Sequence, residues 1–313
     1  MLKYIFSLIN IEIKYKLINV IKTNNFKVLL KYVVLFIFFI FSILILYFLY
    51  IKTSFKIYQI KDLYVLNYKE LILANFITFI VFIIKAYRWK LIVDNLVNKK
   101  LSFLKFIYLS SIGNLLNSVG LSIVISDGIK STILSFDDLK KDDKVNKIKG
   151  ILSSYGDRVL GIIAASILLL FLSAFHFNLI FVILGIIGVS LSFLANKYLD
   201  IKVFIFSIII SFIAHILDAF SMYLIFVYVL KQSVSFYIWV FAYLVGSIFS
   251  VFSIFAGLGT RTIGLSYIIN NVKNNFYIDI FYYLFQIFNA LIALILFFTI
   301  WFINKIVLKN KNF

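Results

Sequence analysis

The chain has 313 residues, of which 63% are hydrophobic and none is Cys or Pro, with a formal net charge of +18. Disulfides and Cys-based metal or redox centres are excluded. A soluble basic protein of this charge would point to nucleic acid. Here the apolar residues instead gather in uninterrupted runs of roughly 18 to 28, the length of membrane spans. The lysines between them are then the residues that meet anionic head groups and set topology.

The chain opens on "MLKYIFSLINIEIKYKL", apolar at Leu2, Ile5, Phe6, Ile9, Ile13 and Leu17 with lysines between. That spacing suits an interfacial amphipathic segment over 1–28, or a plain cytosolic lead-in, and no cleavable signal is visible. The first span is predicted over Tyr32–Ile51 and the second, slightly short, over Leu71–Lys85, ending in "KAYRWK". Segment 103–126 is long enough to cross, yet it carries two Asn, five Ser and two Gly. If it crosses, the basic loop 127–158 lies outside, against the positive-inside tendency; if it enters and returns, that loop stays inside.

Spans follow at Val159–Phe175, Leu179–Ala195 and Val203–Leu230. Segment 236–272 repeats the ambiguity, with "AGLGTR" in its middle, before a last span at Ile280–Ile303. Treating both ambiguous segments as re-entrant places most basic residues inside. Only Lys52, Lys56, Lys61, Lys69, Lys231, Arg261 and Lys273 remain outside. The expected fold is an all-α polytopic membrane protein. About six full transmembrane helices and two oppositely oriented re-entrant segments form an inverted-repeat-like domain over 29–308, with a short cytoplasmic tail at 309–313. Such repeats hold substrate near the midplane, and irregular backbone at that depth must be buried or line a wet cavity.

Several positions carry chemistry. Asn114 and Asn117 share a helix face. Asp127 and Lys130 are one turn apart, and Asp127 is either a helix cap or a substrate contact. Asp157 and Arg158 stand at the mouth of the third predicted span. There they are a local pair marking the interface, or a functional pair. His215 and Asp218 are one turn apart near the middle of a span, where a charged Asp costs about 2.5–3.5 kcal/mol on insertion scales. They form a proton relay or head-group contact, or else Asp218 is neutral and hydrogen-bonded. The small residues of "GIIGVSLS" (185–192) suit close helix packing. Only Arg88, Arg158 and Arg261 are arginine among 31 basic residues. In a Lys-rich chain an Arg suits forked pairing with phosphate or carboxylate, which Lys cannot provide. No Walker A, GxGxxG, HExxH or GxSxG motif is present.

Taken in order, these segments resemble the flippase-like family named for the transmembrane region of lysylphosphatidylglycerol synthase. The family's early Arg-Trp is matched by Arg88-Trp89. Its Asn-containing segment, leading to Gly-Gly-Asp and a basic residue three on, is matched by Asn117, Asp127 and Lys130. Leu121-Ser122 and Ile125-Ser126 stand where it has Pro-Gly and Gly-Gly. Asp157, Arg158 and Gly161 fit its Asp-Arg motif. Gly257, Leu258, Gly259 and Arg261 fit its late Gly-Leu-Gly-x-Arg, with Thr262 in place of Glu.

The resemblance spans about residues 30–305. It implies a stand-alone translocation unit, lacking the synthase's aminoacyltransferase domain. Such a unit moves an anionic, aminoacylated or isoprenoid-linked lipid between leaflets of the cytoplasmic membrane. Both termini are expected in the cytoplasm. No enzymatic activity, cofactor, metal or nucleic acid is expected. The partners expected are a membrane lipid, an aminoacyltransferase or glycosyltransferase of the same pathway, and a second copy of the chain. In this reading Arg158 and Arg261 bind lipid phosphate, while Asp127, Asp157 and the asparagines orient the head group. The competing reading is a membrane-embedded enzyme or accessory subunit of lipid-linked glycan synthesis, with Asp127 or Asp157 as acid or base.

Overall fold

The computed structural model describes residues 68–97, 100–118, 123–138, 144–173, 182–183, 185–190, 199–250 and 258–309. The first predicted span, the N-terminal segment, His176 and Gly257 lie outside the described residues, as does most of the predicted span Leu179–Ala195. Among the described residues every regular element is helical.

Helix α1 runs Tyr68–Val97, with Glu70 in its first turn, where the helix dipole favours an acid. Its 30 residues reach about 45 Å, more than the roughly 30 Å of a bilayer core. The predicted end at Lys85 is therefore a correction. The helix continues through "KAYRWK" because Lys85 and Arg88 find buried carboxylates rather than water. It stops where Asp94 Oδ1 accepts the Leu101 N–H at 3.0 Å and turns the chain back.

The first ambiguous segment is a broken pair of helices, α2 (Phe103–Ser118) and α3 (Ile123–Asp138). The expected loop 127–158 is corrected too, since it is helical over most of its length. Helix α4 (Lys144–Ser173) begins well before the predicted Val159, so Asp157 and Arg158 sit inside a span rather than at its mouth. Within 182–190, a Cβ added at Gly185 would approach Leu170 Cβ to 2.6 Å, so this stretch packs backbone-close on α4.

Helix α5 (Ile201–Leu224) is capped by Asp200, whose side chain accepts the Lys202 N–H at 2.8 Å, and ends in a π-turn at Ile225–Val229. The second ambiguous segment is again a broken pair: α6 (Phe236–Phe249), capped by Ser235, and α7 (Thr260–Ile268). Gly259 precedes α7 at φ 82°, a left-handed conformation that favours glycine. Helix α8 runs Val272–Lys309, with Asn271 Oδ1 accepting the Asn274 N–H at 3.2 Å near its start.

The order long–short–short–long thus occurs twice, and the packing repeats with it. Helix α1 lies on α5. The pair α2/α3 packs on α8 and α4, and the pair α6/α7 on α4 and α8. Helix α4 touches α1 as the π-turn of α5 touches α8. Exchanging the first four helices with the last four preserves every one of these neighbour relations. Trp239 anchors the larger core, stacked on Phe226 at 4.7 Å and donating its indole N–H to Ala219 O at 2.8 Å.

The pair α6/α7 meets backbone to backbone. A Cβ at Gly264 would lie 2.6 Å from Gly246 Cα. Gly264→Ala must spread the two helices and is expected to cost about 1–3 kcal/mol, read as a lower thermal unfolding midpoint in detergent.

Candidate functional site: a charged cavity between the long helices

Among the described residues, four helical stretches are long and apolar enough to cross a membrane: Tyr68–Val97, Leu152–Ser173, Ile201–Val229 and Asn274–Phe302. Their outer faces carry exposed apolar residues at helical spacing, such as Ile72, Phe76 and Ile80 on α1, and Ile205, Ile209 and Ile213 on α5. Their inner faces combine apolar core residues with buried polar and charged ones, such as Thr78 and Arg88 on α1 and Ser211 and Asp218 on α5.

Between them lies a cavity of about 200 Å³. Nine of the ten residues singled out from sequence line it: Arg88, Asn114, Asn117, Lys130, Asp157, Arg158, His215, Asp218 and Arg261. The tenth, Asp127, stands behind its wall and holds two of these cations. Its Oδ1 meets Lys130 Nζ at 2.6 Å and its Oδ2 accepts Arg158 Nε at 2.8 Å. Asp127 is the fifth residue of α3, not its cap, which corrects the capping alternative.

The expected local pair of Asp157 with Arg158 is also replaced. Asp157 Oδ1 accepts from Arg88 Nε at 2.7 Å, and Arg88 further donates to Asp157 O at 3.1 Å and to Ser211 Oγ at 2.6 Å. Adjacent residues on a helix diverge by about 100°, so each turns to a different partner helix. The Trp89 ring lies under Lys130 Nζ at 4.6 Å.

Arg261 is buried and donates from one terminal nitrogen to Asp279 Oδ1 at 2.8 Å, with its guanidinium 4.3 Å from the centre of the Tyr282 ring. Asp279 Oδ2 accepts the N–H of Gly259 at 2.7 Å and of Thr262 at 3.3 Å, and the Thr262 hydroxyl at 2.9 Å. Glycine has no side chain to cap α7, so a carboxylate from α8 does it. An Arg–acid pair forms here although Thr262 is not an acid. The two halves use the same fastening with its ends exchanged. Acid on α3 pairs with arginine on α4, and arginine on α7 pairs with acid on α8.

Asp218 is fully buried on α5. Its Oδ2 accepts from Lys85 Nζ at 2.5 Å, Tyr243 at 3.2 Å and Tyr282 at 3.0 Å. The ring nitrogen Nε2 of His215 lies 2.9 Å from Gly161 O.

Sequence reasoning missed Lys85, Asp279, Tyr243, Tyr282 and Asn289. Signals for two existed: Asp279 is the only acidic residue after Asp218. Lys85 was legible as an i,i+3 neighbour of Arg88.

The fold and the site together define an all-helical membrane protein with a charge-lined cavity between its candidate spans. No protein-family model, curated protein or solved structure matches the chain.

Proposed function

We propose that the protein moves an anionic lipid between membrane leaflets, with the head group passing through the cavity. The observation that carries this reading is the charge balance. Five cations, Lys85, Arg88, Lys130, Arg158 and Arg261, meet four carboxylates, Asp127, Asp157, Asp218 and Asp279. Among the described residues one positive charge is left over in a space walled by helices. A buried charge is costly unless paired, and a phosphate is the membrane anion that would pair it. Arg158 is the residue placed to do so: its side chain is 43% exposed, against 5% for Arg88 and 6% for Arg261. Its fork matches phosphate oxygens.

The repeated packing supports alternating access. With the sequence-derived spans Tyr32–Ile51 and Leu179–Ala195 added, each half has three spans and one broken pair. An odd number of spans turns the second half over relative to the first. The two broken pairs then enter from opposite faces of the cytoplasmic membrane. A glycosyltransferase that makes the lipid is the matching pathway partner.

Arg158→Ala is expected to slow transport roughly 10–100-fold, the worth of charge-assisted hydrogen bonds of about 1.5–3 kcal/mol. The fold is expected to persist, because Asp127 keeps Lys130. The measurement is dithionite quenching of tail-labelled phosphatidylglycerol in proteoliposomes. A wild-type rate in this variant would sink the proposal.

A further inference from the structure

Resting on the transport reading, we propose that His215 and Asp218 form a hydroxyl-selective subsite, so that the cavity takes a phosphate ester bearing hydroxyl groups in preference to one bearing an amine.

Asp218 takes all three of its donors on Oδ2, and Oδ1 has none among the described residues. Gly161 O is a carbonyl and only accepts, so the proton between it and His215 sits on Nε2. In the neutral ring Nδ1 is then an acceptor, and it too is buried without a partner among the described residues. The two residues lie one turn apart on α5 and line the same cavity. Buried acceptors without donors are rare and cost free energy, so this pair awaits an O–H or N–H group.

Electrostatics chooses between those donors. An ammonium needs an uncommitted carboxylate, and each of the four at the cavity already holds Lys or Arg within 2.8 Å. Adding an ammonium to a cavity with one excess positive charge compounds the imbalance. A phosphate with neutral hydroxyls corrects it. The side-chain amides of Asn117 and Asn289 line the same space, each with a buried oxygen lacking a partner among the described residues. An amide offers both donor and acceptor, which suits a hydroxyl that is itself both.

The hydroxyls belong either to a phosphoglycerol head or to a sugar on an isoprenyl phosphate, and one experiment distinguishes them. The full chain is placed in phosphatidylcholine vesicles with a trace of one tail-labelled lipid. The four lipids are phosphatidylglycerol, isoprenyl phosphoglucose, phosphatidic acid and phosphatidylethanolamine. The faster of the first two is expected to exceed both of the last two by about tenfold, the worth of one or two hydrogen bonds, and it names the source. Phosphatidic acid or phosphatidylethanolamine keeping pace would overturn the subsite while leaving anionic transport standing. No movement of any of the four would overturn transport itself, and the subsite with it. His215→Phe, which keeps a ring but loses Nδ1, is expected to narrow the gap between the hydroxyl lipid and phosphatidic acid. An undiminished gap in this variant argues against His215. Should the variant fail to fold, the wild-type ranking decides.

Discussion

Arg88→Ala lowers the stability of the folded chain by roughly 3–5 kcal/mol, the cost of leaving a buried charge without its partner. The guanidinium joins three long helices: it leaves α1, pairs twice with Asp157 on α4 and reaches Ser211 on α5. Both terminal nitrogens pack over Gly161, 3.6 Å from where a Cβ would stand. Alanine removes every one of these bonds and strands Asp157, which is only 6% exposed. Arg88→Lys keeps the charge but has no planar fork, so it cannot serve Asp157 and Ser211 together and should fall between the two. Tryptophan fluorescence during thermal unfolding in detergent reads the series. An alanine variant within about 0.5 kcal/mol of wild type, the range of an ordinary surface substitution, would show that the network carries no weight.

Arg261→Ala is expected to be as damaging, and for a reason the sequence hid. In the reading the family resemblance implies, Arg261 binds lipid phosphate. In the structure it balances Asp279, which also caps α7 through Gly259 and Thr262. Removing the arginine leaves that carboxylate fully buried and charged, at a cost of roughly 3–5 kcal/mol. Adding Asp279→Asn removes the stranded charge, while the amide oxygen still accepts the cap bonds. The double variant should therefore recover more than half of the lost stability. Transport measured in the double variant then reports on Arg261 as a ligand, separate from Arg261 as a fastener. If the second substitution restores nothing, the pair is not what holds α7 to α8.

Each of the two ambiguous segments contributes to two helices, α2 and α3 or α6 and α7, and the polar and small residues that interrupt their apolar runs were legible. The extents of the helices were not. Hydropathy falls at Lys85 and again around Asp157, and both places look like the ends of spans. Those charges face inward, and a helix continues where its cations meet carboxylates. The partners were invisible for the same reason. Arg88 and Asp157 are 69 positions apart, and Lys85 and Asp218 are 133 apart. No local spacing announces them. Composition did point to residues that share one place, since the three arginines of a lysine-rich chain all line one cavity. It gave no sign that two of them would be tied down and one left reachable.

Asp218 also bears on how the cavity opens. One carboxylate oxygen holds Lys85 of α1, Tyr243 of α6 and Tyr282 of α8, from a position on α5. It is a knot of four helices rather than a bridge between two. Parting any of these helices at this level lengthens at least one of the three bonds and lets a substitute donor in. Under the proposed transport, widening the passage and wetting Asp218 are then a single event, and the helices are tied together at the proposed subsite itself.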